Sequence, residues 1–176
     1  MSSAGTNGAK AERGCGSRNG SAQPHGNEDG YMELKVKIKR LREGARIPVY
    51  QTEGAACCDL TAAEAVTVKP RERALVPTGI ALDFGSREYA ALLFARSGLA
   101  AKKGLTLANG VGVIDSDYRG EIMAAVINLG DEEVRILPGD RIAQLGFFPV
   151  GRAVFAEEDE LDETERGDGG FGHTGV

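Results

Sequence analysis

At 176 residues, with 41% hydrophobic and 27% charged residues, the chain has the size and composition of one soluble domain with a sizeable core; aromatics are sparse at 6% and tryptophan is absent. A net charge of -5 excludes the dominant basic face that an extended nucleic-acid footprint needs, so any phosphate ligand is small and bound locally. Three cysteines, Cys15, Cys57 and Cys58, sit at no metal-ligand spacing and make no disulfide framework, which fits a reducing cytoplasm, and the most apolar run, 89–95, stops at Arg96, far short of the roughly 20 residues that span a bilayer.

Residues 1–30 contain no Leu, Ile, Val or Phe and are read as a disordered leader, because they cannot bury enough to offset ordering. The domain is expected from Tyr31 to about residue 156. In "ELKVKIKRL" the residues Leu34, Val36 and Ile38 alternate with lysines, the period-two signature of a half-buried strand. Short apolar runs follow in "AVTVKP", "RALVPTGIAL", "EYAALLFA", "TLANGVGVI", "EIMAAVINL", "EVRILP" and "RIAQLGFFPV", each ended by Gly, Pro, Asp or Asn. Many short strands and few helices predict an all-β sandwich or barrel. One helix is predicted, with Ser97 as N-cap, "GLAAKK" as its body and Gly104 as a left-handed stop. At about two turns it is too short to stand alone. After Val150 come the acidic "AEEDELDE" and a glycine-rich end, so residues 157–176 read as a flexible arm.

Several stretches carry groups suited to chemistry, each with a plainer alternative. In "FARSGLAAKKG" Arg96 and Ser97 stand beside the free N–H groups of a helix start, which makes either an anion site or a simple cap with a solvated arginine. "LANGVGVIDSDYRGEIMAAVINL" reads as two strands of a hairpin joined by the polar turn "DSDYRG". Asn109 and Gly110 interrupt its first strand, where a flat ligand can approach the backbone. Asp115 at that strand's end is either a general base or a turn-forming aspartate. In "PGDRIAQLGF" a turn precedes Arg141 and Gln144, expected on alternating faces of a strand. Asp59 in "GAACCDLTAAE" has small neighbours that leave room around a carboxylate, or else is a surface aspartate at a strand end. In the tail, Gly167, Gly169, Gly170 and Gly172 offer backbone N–H groups to phosphate oxygens, with Arg166 as a charge clamp and Phe171 as a stacking plate. No Gly-Lys-Ser/Thr follows, so it is not a Walker A loop, and the tripeptide "RGD" is too common by chance to indicate adhesion.

Taken in order, "GAACCDL", "ARSGLA", "NGVGVIDSDYRGEI", "GDRIAQL" and "RGDGGFGHTG" resemble the five motifs of the trimeric dUTPases (deoxyuridine triphosphate diphosphatases) over residues 34–175. The resemblance implies a jelly-roll-like β domain forming a homotrimer, with active sites shared between subunits and the C-terminal arm closing over a site. The implied reaction is dUTP plus water to dUMP plus pyrophosphate, with Mg²⁺ on the triphosphate, which cleanses the nucleotide pool and supplies dUMP. By similarity Asp115 activates the attacking water. Asn109, Gly110 and Val113 line the uracil slot, and Tyr118 packs on the deoxyribose and disfavours a 2′-hydroxyl. Arg96, Ser97, Gly98 and Gln144 match phosphate contacts, as do Arg166, Gly170, Gly172 and Thr174 of the arm, while Phe171 stacks over uracil. Asp59 belongs to the active-site polar network and is a candidate to hold metal-bound water. The sequence departs from the family pattern with Ala95 in place of a proline, Cys57-Cys58 in place of Gly-Tyr, and His173 in place of a serine. The rival readings are a dCTP deaminase or a bifunctional relative, and a nucleotide-sensing trimer with a partner-binding role.

Overall fold

The computed structural model describes residues 25–26 and 32–170. In chain order the elements are β1 (His25–Gly26), β2 (Met32–Glu33), β3 (Lys37–Arg40), β4 (Cys58–Thr61), β5 (Val66–Val68), β6 (Arg73–Pro77), β7 (Ile80–Asp83), β8 (Tyr89–Ala95), α1 (Ser97–Lys103), β9 (Leu105–Leu107), β10 (Gly112–Ile114), β11 (Met123–Asn128), β12 (Val134–Ile136) and β13 (Arg141–Pro149). This is the mostly-β architecture with one short helix that the run of short strands predicts. All pairings are antiparallel, in the orders β10-β8-β13-β4, β6-β11-β9, β12-β5, β3-β7 and β1-β2. Within the stretch read as a leader, His25–Gly26 forms a two-residue ladder with Met32–Glu33.

The alternation in "ELKVKIKRL" reappears as alternating exposure from Glu33 to Lys39, with Leu34, Val36 and Ile38 packed against the core and the intervening charges in water. The near-continuous apolar run of β8 sits between β10 and β13, where both its faces are largely covered. Leu60 of β4, Val68 of β5, Val76 of β6, Val126 of β11 and Leu145 of β13 are all buried in one core, so the separate sheets share a single hydrophobic interior. An edge-to-face pair, Phe84 and Phe147 with centroids 5.5 Å apart, closes one side of it.

Three local expectations change in three dimensions. "RALVPTGIAL" is two strands, broken at Gly79, whose φ of +72° bends the chain and whose Cβ position would lie 2.7 Å from Ala45 Cβ. "DSDYRG" does not join two strands of one hairpin. β11 pairs with β6 and β9, whereas β10 crosses to pair with β8. The divergence begins at Asn109-Gly110, where Gly110 has φ +72° and its N–H donates back to Leu107 O. The opened segment between β9 and β11 becomes the wall of a cleft. Finally, Arg96, not Ser97, occupies the N-cap position of α1, with extended dihedrals and no side-chain capping bond. The predicted stop holds: Gly104 is left-handed at φ +68° and its N–H bonds to Ala100 O. A side chain at 104 would strike the Gly130 backbone as well.

No strand is found between Val150 and Gly170 among the described residues, and that segment is exposed almost throughout. The last strand therefore ends at Pro149, a few residues ahead of the expected core boundary near Ala156.

Candidate active site

Antiparallel register brings the first cluster together. β13 places Gln144 directly opposite Asp59 of β4 on one side and Phe94 of β8 on the other, so the end of β8 delivers Arg96 beside Asp59. Arg96 Nε lies 3.2 Å from Asp59 Oδ1, and Arg96 Nη1 donates to Arg141 O at 3.1 Å. Arg141 Nη1 donates to Asp59 Oδ2 at 3.0 Å. Asp59 is 5% exposed, not the surface residue of the plainer expectation. Burying a carboxylate this deeply is costly without charged partners, and here two guanidiniums share it. The three groups sum to one net positive charge, with both arginines still partly open to solvent. An anion is the ligand such a cluster accepts.

Arg141 and Gln144 were expected on alternating faces, and the structure corrects this. A register shift between Arg141 and Ala143 inserts one extra residue into β13, which reverses the face parity, so Arg141 and Gln144 both address Asp59. Arg141 is thereby a member of the cluster that motif spacing did not single out. Ser97 and Gly98 are exposed at the adjoining start of α1, and the space beside Gly98 is open.

The second cluster is a cleft of about 370 Å³. Asn109, Val113, Asp115 and Tyr118 line it together with apolar groups that include Leu93 and Met123. Gly110, which follows Asn109 in the turn described above, is not among the residues that line it. Asp115 is exposed, and its main-chain oxygen accepts the Tyr118 N–H at 3.1 Å. The Tyr118 hydroxyl donates to Glu121 O at 3.0 Å. Its ring lies so close over Gly120 that a Cβ there would come within 2.4 Å of the hydroxyl, so a side chain at 120 would displace the ring. Arg119 ties this loop to β7 by donating to Asp83 Oδ1 at 2.9 Å. Glu121 also lines the cleft. It was not among the expected residues, because a glutamate just ahead of an apolar strand looks like any solvated flank.

Arg96, Ser97, Gly98 and Gln144 do not line this cleft. Arg166 has its bonds within its own turn, where Nε donates to Gly169 O at 2.8 Å, and Gly170 is exposed. Phe171, Gly172, His173 and Thr174 lie outside the described residues. Among the described residues no group of three or more His, Cys, Asp or Glu is placed to hold a metal ion. The one buried side-chain oxygen there without a hydrogen-bond partner is Asp59 Oδ1.

Cys57 and Cys58 are both free thiols. Burial pushes the Cys58 thiol up to about 11 and raises Cys57 as well, and Cys58 Sγ donates to Leu145 O at 3.3 Å. The thiolate is the reactive form, so at pH 8 Cys58 should alkylate with iodoacetamide at least about tenfold more slowly in the folded protein than in denaturant, and Cys57 should be slowed as well. Mass spectrometry of timed samples reads this; equal rates would contradict the buried environment.

One cluster takes an anion and the other a flat, partly apolar group, which is the pairing a nucleotide presents, so fold and site together define a nucleotide-binding β protein. Sequence comparison makes this particular. The dUTPase family model matches residues 43–175, and the chain belongs to that family. The deoxyuridine 5′-triphosphate nucleotidohydrolase of Desulfitobacterium hafniense is 52% identical over 147 residues, 81% of this chain and 97% of that protein. The enzyme of the same name from Zymomonas mobilis is 48% identical over 147 residues, 82% of this chain and 100% of that protein. A variant of the Staphylococcus bacteriophage 80alpha dUTPase, solved with dUpNHpp, superposes with a TM-score of 0.76 at 27% identity, covering 81% of this chain and 99% of that one.

Proposed function

We infer that this chain hydrolyses dUTP to dUMP and pyrophosphate, in a homotrimer whose active sites are shared between subunits. The observation that carries the reading is the nucleoside-sized cleft with Asp115 and Asn109 on its wall, in a chain of the dUTPase family. Uracil lies against the backbone at Asn109, Gly110 and Val113. Hydrogen bonds to its edge leave cytosine with unpaired polar groups, and the closely approaching main chain leaves no room for thymine's methyl group. Tyr118 packs on the sugar. Asp115 orients a water and takes its proton as the water oxygen bonds to phosphorus, and the P–O bond between the α- and β-phosphates breaks, releasing pyrophosphate. Arg96, Ser97, Gly98 and Gln144 hold phosphate oxygens, joined by Arg141 through its shared carboxylate.

Mg²⁺ would be carried by the triphosphate, and Asp59 Oδ1, buried without a hydrogen-bond partner, would accept from a water on that ion. When bound there it neutralises phosphate charge. The trimer is supported by the separation of the two clusters in a single chain: neither Arg96 nor Arg141 lines the cleft, and among the described residues Arg166 donates to Gly169 O of its own turn. A second copy supplies what the first lacks, with residues 31–156 as the core and 157–176 as the arm that covers the site. No helix among the described residues is long and apolar enough to cross a membrane, and a cytoplasmic site of action accords with free thiols.

The test is a panel of dUTP, dCTP, dTTP and UTP, each with and without a chelator, scored for pyrophosphate and ammonia. Pyrophosphate is expected from dUTP alone and only without chelator. Ammonia from dCTP would replace this reading with a deaminase.

A further inference from the structure

Among the described residues Glu121 is the one carboxylate besides Asp115 on the cleft wall, and it is committed elsewhere. Arg42, in the turn after β3, grips it as a fork, with Nε on Oε1 and Nη2 on Oε2, both at 2.8 Å. The Gly79 N–H donates to Oε1 at 2.8 Å as well, and Arg42 Nη1 continues to Glu64. The hydrogen bonds from Arg42 hold the Glu121 carboxyl below its usual range, so it stays an anion with its lone pairs directed at Arg42 and Gly79. Such a group is unsuited to proton transfer with a ligand.

The main chain of the same residue does something else: Glu121 O accepts the Tyr118 hydroxyl, and the Tyr118 ring rests on Gly120. The position of the ring is therefore set by the peptide between Gly120 and Glu121. That peptide is pinned through a bidentate ion pair to a residue 79 positions earlier in the chain. Bidentate arginine–carboxylate pairs fix orientation as well as distance.

We propose that Arg42 and Glu121 are positioning residues for sugar selection, holding the Tyr118 ring where it accepts a 2′-deoxyribose and rejects a ribose. The proposal rests on the sugar-packing role of Tyr118 given above. Arg42 does not itself line the cleft, so its effect on selectivity passes through Glu121. When the fork is lost, Glu121 is left as a largely buried carboxylate with too few donors and turns toward water. The 118–121 segment relaxes with it, and room opens for a 2′-hydroxyl.

The experiment measures kcat and KM for dUTP and for UTP in the full chain, the Arg42→Met variant, the Arg42→Lys variant and a Tyr118→Ala control, with a circular dichroism melt of each. Methionine keeps the stem without the fork; lysine keeps the charge with one point contact. Arg42→Met is expected to move the dUTP-to-UTP ratio of kcat/KM toward UTP by about tenfold, carried mainly by KM, because a displacement of about 1 Å at a positioning group is enough for such a change. Arg42→Lys should shift it by less in the same direction, and it decides the matter if Arg42→Met does not fold. A loss common to both nucleotides, with the ratio unchanged in the folded Arg42 variant, would overturn the proposal, since a merely structural role predicts that result. An unchanged ratio in Tyr118→Ala would instead remove the role of Tyr118 itself, so the two failures are told apart.

Discussion

Asp115→Asn is expected to bind dUTP nearly as tightly as the parent chain and to turn it over about 10²–10⁴-fold more slowly, the range a positioned general base supplies. The exchange is isosteric and leaves the local structure in place, because what closes the turn after β10 is the main-chain oxygen of Asp115 on the Tyr118 N–H, not its carboxylate. The side chain is exposed on the cleft wall and takes no part in the core. Its loss should therefore appear in kcat and not in stability. An amide can still orient a water, but it cannot take the proton. Calorimetric binding of a non-hydrolysable dUTP analogue, set beside pyrophosphate release, separates the two effects. Turnover equal to the parent's would refute the base assignment.

Removing residues 166–176 is expected to leave a folded oligomer whose turnover falls by roughly 10²-fold or more, since a positioned charge and the exclusion of bulk water are lost together. Stability should hold because the described part of the segment after Pro149 contributes nothing to the core: Phe155 is 94% exposed and Arg166 donates to Gly169 O within its own turn. What the truncation removes is chemical, namely the Arg166 cation, the N–H groups of the arm's glycines and the Phe171 ring. Thermal melts, sedimentation and pyrophosphate release on the truncated chain check each part. Undiminished turnover would mean that the glycine-rich end has no part in the reaction.

Both predictions come from motifs visible as linear strings, and that was also true of much of the fold. The lysine alternation from Glu33 to Lys39 becomes alternating burial because a strand's period of two is a local property of the backbone. Gly104 ends α1 because only glycine enters the left-handed region there without cost, and this too depends on one residue. The order of the five motifs was sufficient to identify the family, for five such strings in one order are far more specific than any one of them.

Only the tertiary structure decided how these strings meet. Asp59 could have been a surface aspartate until β4, β13 and β8 were aligned; then it became the buried centre of an arginine pair. Arg141 entered that pair through a bulge that shifts parity by one residue, which no alternation pattern contains. β10 left its expected hairpin partner for β8, and the cleft exists because it did. Arg42 and Glu121 read separately as ordinary surface charges, yet they meet as a fork beside the cleft that Glu121 lines. The physical reason is common to all four: turn chemistry and periodicity act over a few residues, whereas register, bulges and ion pairs depend on which distant segments the core brings side by side. By itself the sequence determined the β class, the helix stop, the motif order and the chemical groups available; the packing of strands decided which of those groups share a charge, which line a cleft and which hold others in place.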